Sequence, residues 1–371
     1  MQIGNSITLE DVFNAFLECR KKKKDTNDYL KFEFNREKNL IKLHDELFFE
    51  SYNVGRSIHF IVEKPKIREV WAGNFRDRIV HHLLCQKIQD RFLKRFIDDS
   101  YSCIINKGTL YGAERVYSFA RKATKNYQEE AYYLQCDLHN YFLSINRNIL
   151  HNLLLKYVHE REYQWLIRKI LFHDPRKNYY SKATNRLMGL LPKHKTLFSC
   201  DNIHGMPIGN LTSQFFSNVY LNELDQFVKR TLKIKYYGRY VDDFVLIHKD
   251  IEYLKYCHQQ IQIFLREELD LKLNPSKTKH NHVKKGIDFV GYLILPGRKQ
   301  LRRKTRKKLW QHLKTNDIIS KQQNINSYLG MLKHTSSYQE RKSISFNVNN
   351  RKSLLVMDYP YLKFKKVQKR I

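Results

Sequence analysis

Three aspartates stand in segments that otherwise consist of residues typical of β-strands. Asp242 and Asp243 are adjacent in YYGRYVDDFVLIHKD (236–250), and Asp137 lies in AYYLQCDLHNYFLSI (131–145). An Asp pair between two strands is compatible with an ordinary hairpin turn, because Asp tolerates tight-turn conformations. A single Asp after a strand is compatible with a cap or a turn. The alternative is metal binding, since Mg²⁺ prefers a few hard carboxylate oxygens.

Carboxylates on different strands suit the chemistry of nucleotidyl transfer. Two Mg²⁺ ions about 3.5–4 Å apart stabilise both an attacking 3′-hydroxyl and a departing pyrophosphate. Rigid strands hold the ligands of such an ion pair more accurately than loops do. Asp137, Asp242 and Asp243 are therefore the candidate metal ligands and catalytic residues.

The elements that must position these residues follow from the hydrophobic pattern. Alternation and β-branched residues predict a hairpin at 57–73 and short strands within 131–145, 271–280 and 287–295. A long polar loop is predicted at 174–205. Apolar residues spaced three and four apart predict helices at 6–24, where Ser6 or Thr8 is the candidate cap, and at 74–96, 149–172, 211–230 and 251–269. Helices and strands alternate without a regular βαβ repeat, which predicts an α+β fold.

The charge balance points to a polyanionic partner. Sixty-eight Lys and Arg residues against thirty-seven Asp and Glu give a formal net charge of +31 in 371 residues. Such an excess repels itself unless a polyanion neutralises it, and nucleic acid is the usual polyanion. The alternative is a solvated basic surface that serves solubility. The densest basic run, RKQLRRKTRKKL (298–309), marks a change of composition and predicts a subdomain boundary near residue 296.

The cysteines and the N-terminal segment indicate which cellular compartment the protein occupies. The six cysteines are scattered without a C-x-x-C pair, so neither a zinc finger nor a disulfide framework is predicted. The N-terminal segment lacks the basic region and apolar core of a secretory signal. No apolar run reaches the roughly 18 residues of a membrane span. We expect a cytoplasmic protein with reduced thiols and no membrane partner.

Five blocks of the sequence resemble, in the same order, the motifs of reverse transcriptases. The blocks are KIREVWAGNFRDRIVHHLL (66–84), DLHNYF (137–142), YVDD (240–243), LNPSKTK (273–279) and GIDFVGYLI (286–294). The resemblance implies an α+β right-hand polymerase fold with fingers, a palm built on an antiparallel sheet, and a short helical thumb. The implied ranges are 1–125 for an N-terminal extension and the fingers, 126–295 for the palm with a fingers insertion at about 147–205, and 296–371 for the thumb.

The same resemblance implies roles for individual residues. Asp137 and Asp242 would ligate two Mg²⁺ ions, for which Mn²⁺ is a possible substitute, with Asp243 as the third carboxylate and the carbonyl of Leu138 as a further ligand. Gly291 and Tyr292 would form the primer grip. The residues implied in binding the incoming nucleotide are Lys66, Arg68, Phe142, Ile208, Gly209, Gln214 and Lys277. The residues implied in binding the nucleic acid at the start of the thumb are Arg298, Arg302, Arg303, Lys304, Arg306 and Lys307.

Each of these roles has a plainer alternative. Phe142, implied as the gate that collides with a ribose 2′-hydroxyl, is also compatible with a core aromatic position. Lys277, implied beside the leaving pyrophosphate, is also compatible with an ordinary surface lysine. Ile208 is compatible with the wall of a pocket, and the basic run 298–308 with a solvated helix face.

MPIGNLTSQ (206–214) departs from the usual reverse transcriptase pattern. Most members carry Gln-Gly and later Ser-Pro in this block, whereas this chain has Ile208-Gly209 and Ser213-Gln214. The variant resembles the reverse transcriptases of diversity-generating retroelements, which copy a template-repeat RNA with errors at adenines. That resemblance implies a bacterial or phage-infected cell and dNTPs, a template RNA and an RNA–cDNA duplex as ligands. It also implies a small, basic, oligomeric accessory variability determinant protein as a partner.

Two other functions remain open at this level. A phage-defence or retron-type reverse transcriptase shares the palm motifs, although the block at 206–214 argues against it. A catalytically inert basic RNA-binding scaffold would share the charge, but such a scaffold has no need of three intact carboxylates.

Overall fold

The computed structural model describes residues 6–21, 23–64, 66–314, 322–349, 355–358 and 363–366. Within these ranges the helices are α1 Leu9–Cys19, α2 Asn27–Phe34, α3 Arg36–Phe48, α4 Phe75–Leu93, α5 Thr109–Ala123, α6 Tyr141–Ser144, α7 Arg147–Leu155, α8 Arg161–Leu171, α9 Asn185–Leu190, α10 Leu211–Gln226, α11 Ile251–Glu268, α12 Arg303–Lys314, α13 Gln322–Lys333 and α14 Tyr338–Asn349. The strands are β1 Ser57–Val62, β2 Arg68–Ala72, β3 Tyr132–Asp137, β4 Tyr179–Ser181, β5 Tyr236–Tyr240, β6 Asp243–His248, β7 Lys279–His282, β8 Ile287–Phe289, β9 Tyr292–Leu295, β10 Arg298–Leu301, β11 Leu355–Asp358 and β12 Lys363–Lys366. None of the helices in the described ranges is long and apolar enough to cross a membrane.

The chain forms two compact units, each built from separated segments. The first unit comprises residues 1–97, 138–227 and 261–273, and the second comprises residues 98–137, 228–260 and 274–371. The ranges inferred for fingers, palm and thumb stay a prediction, because a division by compactness does not test a division by role.

The first unit begins with helices that pack around three phenylalanines. Thr8 caps α1 through a capping box, in which its hydroxyl accepts from the backbone N–H of Asp11 and the Asp11 carboxylate accepts from that of Thr8. This confirms Thr8 of the two candidate caps. Phe16 of α1, Phe32 of α2 and Phe75 of α4 have ring centroids 5.4–6.1 Å apart, which joins the three helices in one aromatic core.

Two predictions for the first unit require correction. The segment predicted as one helix at 149–172 is two helices, α7 and α8, separated by a break at 156–160. The break exists because Glu160 forms a bidentate ion pair with Arg91 of α4 and the amide of Gln164 donates to the carbonyl of Val158. The segment predicted as a loop at 174–205 contains the short strand β4, which adds in parallel to β1, and the short helix α9.

The predicted hairpin at 57–73 is confirmed as β1 and β2. The two strands pair antiparallel from Ile58 opposite Ala72 to Val62 opposite Arg68. The first-unit sheet therefore has the order β2-β1-β4.

The second unit is built on an antiparallel sheet with the order β5-β6-β3-β7. The inner strands β3 and β6 are buried on both faces, since Leu134 and Leu246 are fully buried on one face while Tyr133 and Ile247 are buried on the other. Their apolar runs follow from this double burial. On the face of Tyr133 and Ile247, α5 supplies buried residues to a common apolar cluster.

The second unit also contains a second sheet, three further helices and the antiparallel strand pair β11–β12. The strands β8, β9 and β10 form an antiparallel sheet in which Leu295 pairs with Arg298 across the composition change near residue 296. Leu301, Leu309 of α12 and Leu329 of α13 share one apolar cluster with Tyr292 of β9. The helices predicted for the C-terminal region are therefore present and pack on this second sheet.

Candidate active site

The turn that carries the adjacent aspartates joins β5 to β6. Tyr240 and Asp243 are the last cross-strand pair, so Val241 and Asp242 form a two-residue turn. Val241 has a φ of 55°, a conformation that β-branched residues rarely adopt. Such a conformation costs about 1–3 kcal/mol and persists only where the surroundings enforce it, which is typical of functional sites. The prediction of a hairpin is confirmed, and it is a strained one.

The first carboxylate meets this hairpin across the sheet. Asp137 is the last residue of β3 and the direct antiparallel partner of Asp243, the first residue of β6. Directly opposed residues point to the same face with Cβ atoms about 4.5–5.5 Å apart. Asp137 belongs to a segment about a hundred residues earlier in the chain. The structure therefore brings it beside the turn that carries Asp242 and Asp243.

The environment of Asp243 disfavours its charged form. Burial raises the pKa of Asp243 to about 7, and the neighbouring charges of Asp137 and Asp242 act in the same direction. A hydrogen bond from the side-chain amide of Gln135, 3.1 Å from Oδ1, opposes this rise. The amide of Gln135 is itself oriented by the backbone carbonyl of Asp288 at 2.8 Å. The negative charges of Asp137 and Asp242 beside Asp243 are matched by a cation, so the donor set suits a divalent metal.

The lysine of the LNPSKTK block lies at Asp137. Nζ of Lys277 donates to Oδ1 of Asp137 at 2.6 Å, and the backbone N–H of Asn274 donates to the Asp137 carbonyl at 2.8 Å. The lysine side chain is about half exposed and the aspartate largely buried. The same ammonium therefore neutralises Asp137 and stands at the edge of the carboxylate cluster.

The three carboxylates share one end of the sheet without closing around a single point. The described residues contain no group of three His, Cys, Asp or Glu side chains already gathered closely enough to hold an ion. The pairing of Asp137 with Lys277 gives a physical reason, since an ammonium occupies one side of the first carboxylate. Asp137, Asp242 and Asp243 are nevertheless hard oxygen donors at one end of one sheet, which is the chemistry that Mg²⁺ requires.

Most residues predicted to bind the nucleotide lie in the first unit. Arg68 opens β2 and is exposed, and the exposed Lys66 precedes it in the chain. The carbonyl of Ile208 accepts from the backbone N–H of Trp71 in β2 at 2.7 Å. Gly209 must be a glycine, because its φ is 133° and an added Cβ would lie 2.8–2.9 Å from Val70 and the Trp71 carbonyl.

Phe142 joins the same group. Its carbonyl accepts from the backbone N–H of Met206 at 2.7 Å, and its ring is half-buried. The structure thus links the segments of Arg68, Phe142 and Ile208 by backbone hydrogen bonds. Gln214 is exposed in the first turn of α10, and Leu138 is buried and forms an isolated bridge with Leu273. The roles of these residues stay predictions.

The predicted primer grip is a tight hairpin. Phe289 pairs with Tyr292, and the intervening Val290 and Gly291 both have positive φ, at 44° and 93°. A side chain at Gly291 would be strained by the φ of 93°, and its Cβ would lie 2.8 Å from the terminal methyl of Met331. The ring of Tyr292 is buried in the core of the second unit. The primer-grip role of Gly291 and Tyr292 stays a prediction.

The predicted basic surface divides into paired and unpaired side chains. Arg302 forms an ion pair with Asp288, and Arg306 forms one with Glu340 at 2.6 Å. The other members are exposed and form no ion pair with a described residue: Arg298, Arg303, Lys304 and Lys307. Arg298 lies on β10 rather than on a helix, whereas α12 carries the remaining three.

Two polar residues near the site do not stand out in the sequence. Gln135 is predicted only as part of a strand, yet it contacts Asp243. Arg239 lies in a predicted strand with no assigned role, although it is fully buried in β5. The sequence could have pointed to both residues, because each is a polar residue at an inward position of a predicted strand. Such a residue normally has a specific hydrogen-bond partner.

An α+β fold whose antiparallel sheet gathers three aspartates at the end of one hairpin defines a nucleic acid polymerase fold. The chain belongs to the reverse transcriptase (RNA-dependent DNA polymerase) family, whose model matches residues 62–294. By class it is an RNA-directed DNA polymerase, and reverse transcriptase domains generally use divalent metal ions, typically Mg²⁺.

Individual relatives are distant. Protein YkfC of Escherichia coli is 23% identical in an alignment 293 residues long that covers 68% of this chain and 70% of that protein. The putative COX1/OXI3 intron 2 protein of Saccharomyces cerevisiae is 24% identical in an alignment 277 residues long that covers 62% of this chain but only 31% of that protein.

Solved telomerase structures are also similar. Apo telomerase from Candida tropicalis matches 80% of this chain and 55% of its own at 12% identity and a TM-score of 0.49. Telomerase from Candida albicans with a TWJ fragment of telomeric RNA matches 80% of this chain and 55% of its own at 12% identity and a TM-score of 0.45. The chain thus spans little more than half of each telomerase.

Proposed function

We propose that this chain copies a template-repeat RNA into cDNA by two-metal nucleotidyl transfer, as the reverse transcriptase of a diversity-generating retroelement. The observation that carries the polymerase site is the direct cross-strand pairing of Asp137 with Asp243 beside the Val241–Asp242 turn. Three carboxylates from two distant segments have no structural need to share one end of a sheet, where they repel one another.

In the proposed reaction each residue has a defined task. Asp137 and Asp242 would hold two Mg²⁺ ions, which would supply charge stabilisation for the attacking 3′-hydroxyl and the departing pyrophosphate. Asp243 completes the carboxylate set, and the amide of Gln135 keeps its Oδ1 oriented. Lys277, which lies at the edge of the carboxylate cluster, would donate a proton to the leaving pyrophosphate.

The retroelement assignment rests on the block at 206–214. The carbonyl of Ile208 accepts a hydrogen bond from β2, the strand that begins with Arg68. Position 208 is therefore attached to the strand of a residue that is predicted to bind the incoming nucleotide. An isoleucine there offers shape but no hydrogen bond. A site without that polar contact rejects mismatches less strongly, because a mismatch leaves no buried donor or acceptor unpaired.

The same proposal names the ligands and the partner of the chain. The ligands are dNTPs, a template RNA and the RNA–cDNA duplex, and the partner is an accessory variability determinant protein. The basic charge of the chain supports the polyanionic ligands. All six cysteines are free thiols in the structure, which supports a reducing compartment such as the bacterial cytoplasm.

The decisive experiment is Mg²⁺-dependent incorporation of dNTPs on a primed RNA. The native chain is compared with Asp242→Asn, which keeps the size of the turn residue but removes its charge. We expect incorporation by the native chain and none by the variant, with equal RNA binding by both. RNA binding without incorporation by the native chain would favour the inert scaffold instead, and equal incorporation by both proteins would reject Asp242 as a catalytic residue.

A further inference from the structure

A buried guanidinium lies beside the strained aspartate turn. Arg239 is the fourth residue of β5 and is fully buried. A charge is removed from water only at a large cost unless its donors are matched by good acceptors. One of the acceptors that this side chain reaches belongs to the turn itself.

The contacts of the side chain connect two parts of the second unit. Nη1 of Arg239 donates to the carbonyl oxygen of Val241 at 2.9 Å. Nη2 donates to the hydroxyl of Ser100 at 3.1 Å. The planar guanidinium therefore spans from the turn to the segment that precedes α5.

The backbone of Arg239 is fixed to the same segment. Its N–H donates to the carbonyl of Asp99 and its carbonyl accepts from the N–H of Tyr101, both at 2.9 Å. Ser100 and Arg239 thereby form a parallel bridge beside β5. Segment 99–101 is in turn anchored, since the Asp99 carboxylate accepts from Arg115 at 2.6 and 3.0 Å and from the Tyr101 hydroxyl at 3.1 Å.

The neighbouring glycine shows how closely this segment is packed. A Cβ on Gly238 would lie 2.3 Å from the hydroxyl of Tyr101, so only glycine fits at this position. Segment 99–101 therefore has little freedom to move relative to β5. It is a fixed support for the guanidinium.

The carbonyl that Arg239 holds belongs to the peptide between Val241 and Asp242. Because the peptide group is planar, a fixed carbonyl direction also fixes the N–H and the Cα of Asp242, the atom from which its side chain departs. Val241 enters this peptide with a φ of 55°, which an unconstrained valine avoids. The hydrogen bond from Arg239 opposes the relaxation of that strain.

We propose that Arg239 is a positioning residue for the metal site. By holding the Val241–Asp242 peptide in its strained orientation, it directs the Asp242 carboxylate toward the cluster formed with Asp137 and Asp243. The inference rests on the proposed polymerase function, but it concerns a residue outside the three carboxylates.

The test measures metal binding directly, apart from turnover. Calorimetric titration of the full chain with Mn²⁺ gives the affinity of the site, and Mg²⁺ titration of dNTP incorporation gives its half-saturation in the reaction. We expect Arg239→Met to weaken Mn²⁺ binding and raise the Mg²⁺ half-saturation by about tenfold, as for other residues that orient metal ligands. Arg121→Met, which removes an exposed arginine of the same unit, should leave both values unchanged.

A second substitution separates positioning from general stability. Asn accepts positive φ far more readily than Val, so Val241→Asn removes the strain whose relaxation Arg239 opposes. In the Arg239→Met background it should therefore recover part of the lost Mn²⁺ affinity. Weaker thermal stability with unchanged metal affinity would show a purely structural role and overturn the proposal.

The remaining outcomes are also decisive. If Arg239→Met does not fold, Arg239→Lys and Ser100→Ala take its place, because each keeps a cation at this position and disturbs only the hydrogen bonds. Unchanged Mn²⁺ affinity in both variants overturns the proposal. Native protein that binds Mn²⁺ in an Arg239-dependent way but incorporates no dNTP would leave the positioning role intact and reject the proposed function.

Discussion

The Nζ of Lys277 lies 2.6 Å from Oδ1 of Asp137, so the lysine predicted to serve the leaving group is bound to the first metal-ligand candidate. In the proposed reaction, an ammonium and a divalent ion would compete for the same carboxylate. Metal binding at Asp137 would therefore be coupled to the release of Lys277 from that carboxylate. The ammonium also offsets part of the negative charge of the carboxylate cluster.

This coupling predicts opposite effects on binding and on turnover. Lys277→Met removes the competing cation, so Mn²⁺ should bind several-fold more tightly in a calorimetric titration. The rate of incorporation should fall by about a hundredfold, the usual contribution of a general acid. Lys279→Met, which alters an exposed lysine of β7, is the matched control. Weaker metal binding by Lys277→Met would contradict the competition.

Gln135 should set the pH range of the enzyme. Its amide donates to Asp243, whose pKa burial raises to about 7, and this hydrogen bond favours the charged carboxylate. Gln135→Met removes the donor and should raise the pKa of Asp243 further. The acidic limb of the pH–rate profile should then move upward by about one pH unit, equivalent to about 1.4 kcal/mol. The shift should shrink at saturating Mg²⁺, and an unmoved limb at low Mg²⁺ would reject this role.

Position 208 should control the error spectrum. Ile208→Gln restores a side chain that can hydrogen-bond, so misincorporation opposite template adenine should fall by about tenfold or more. Sequencing of cDNA made on a defined RNA measures this directly. Ile203→Gln, an exposed isoleucine of the same segment, is the control. If the native errors show no concentration at adenines, the phage-defence or retron-type alternative is favoured.

The basic run should contribute to duplex binding through its unpaired members only. Changing Arg298, Arg303, Lys304 and Lys307 to Ala together should weaken binding of an RNA–DNA duplex and make its salt dependence shallower, by about 0.9 in the slope for each phosphate that the variant no longer neutralises. Arg306→Ala should leave the slope unchanged, since Arg306 is paired with Glu340. An unaltered slope in the fourfold variant would count against binding of phosphates by this run.

A histidine in the first unit should make stability depend on pH. Nδ1 of His204 lies 2.8 Å from Asp201, and Nε2 lies 2.7 Å from Asp270. Burial lowers the pKa of His204, but the hydrogen bonds to Asp270 and Asp201 outweigh it and raise the pKa above its usual value. The hydrogen bond from His204 lowers the pKa of Asp201 to about 2 and also lowers that of Asp270.

The signs of these shifts define a pH window. The raised histidine pKa contributes stability that is fully present below about pH 6.5 and is lost as the pH rises through the raised value. The lowered aspartate pKa values contribute stability that is present above about pH 4 and is lost as the pH falls. His204→Gln should therefore lower the melting temperature at pH 5.5 more than at pH 8.5. The loss should stay below about 1 kcal/mol because the groups are largely exposed. His194→Gln, at an exposed position, is the control, and an equal loss at both pH values would contradict the window.

The helical and strand elements were predictable to different extents. Long periodic segments such as α4 and α11 were predicted correctly, since their apolar faces are encoded locally. The break between α7 and α8 was not, because it depends on the ion pair of Glu160 with Arg91, about seventy residues earlier. The strand β4 was also missed, since it exists only by pairing with β1.

The candidate site shows the same division. Asp137, Asp242 and Asp243 were predictable because carboxylates among β-prone residues stand out in any sequence. The pairing of Asp137 with Lys277 and of Asp243 with Gln135 was not, because it depends on the register of β3 against β6 and β7. The separation of the basic run into paired and unpaired side chains depends likewise on where Asp288 and Glu340 lie.

The sequence by itself determined the chemistry of this protein: its carboxylates, its basic charge, its family motifs and the periodicity of its longer helices are local properties of the chain. Only the tertiary structure decided which side chains tune that chemistry. The placement of Arg239 under the Val241–Asp242 turn illustrates the reason. A buried polar side chain is stabilised by acceptors that the folding of distant segments brings to it, and no local pattern encodes their arrival.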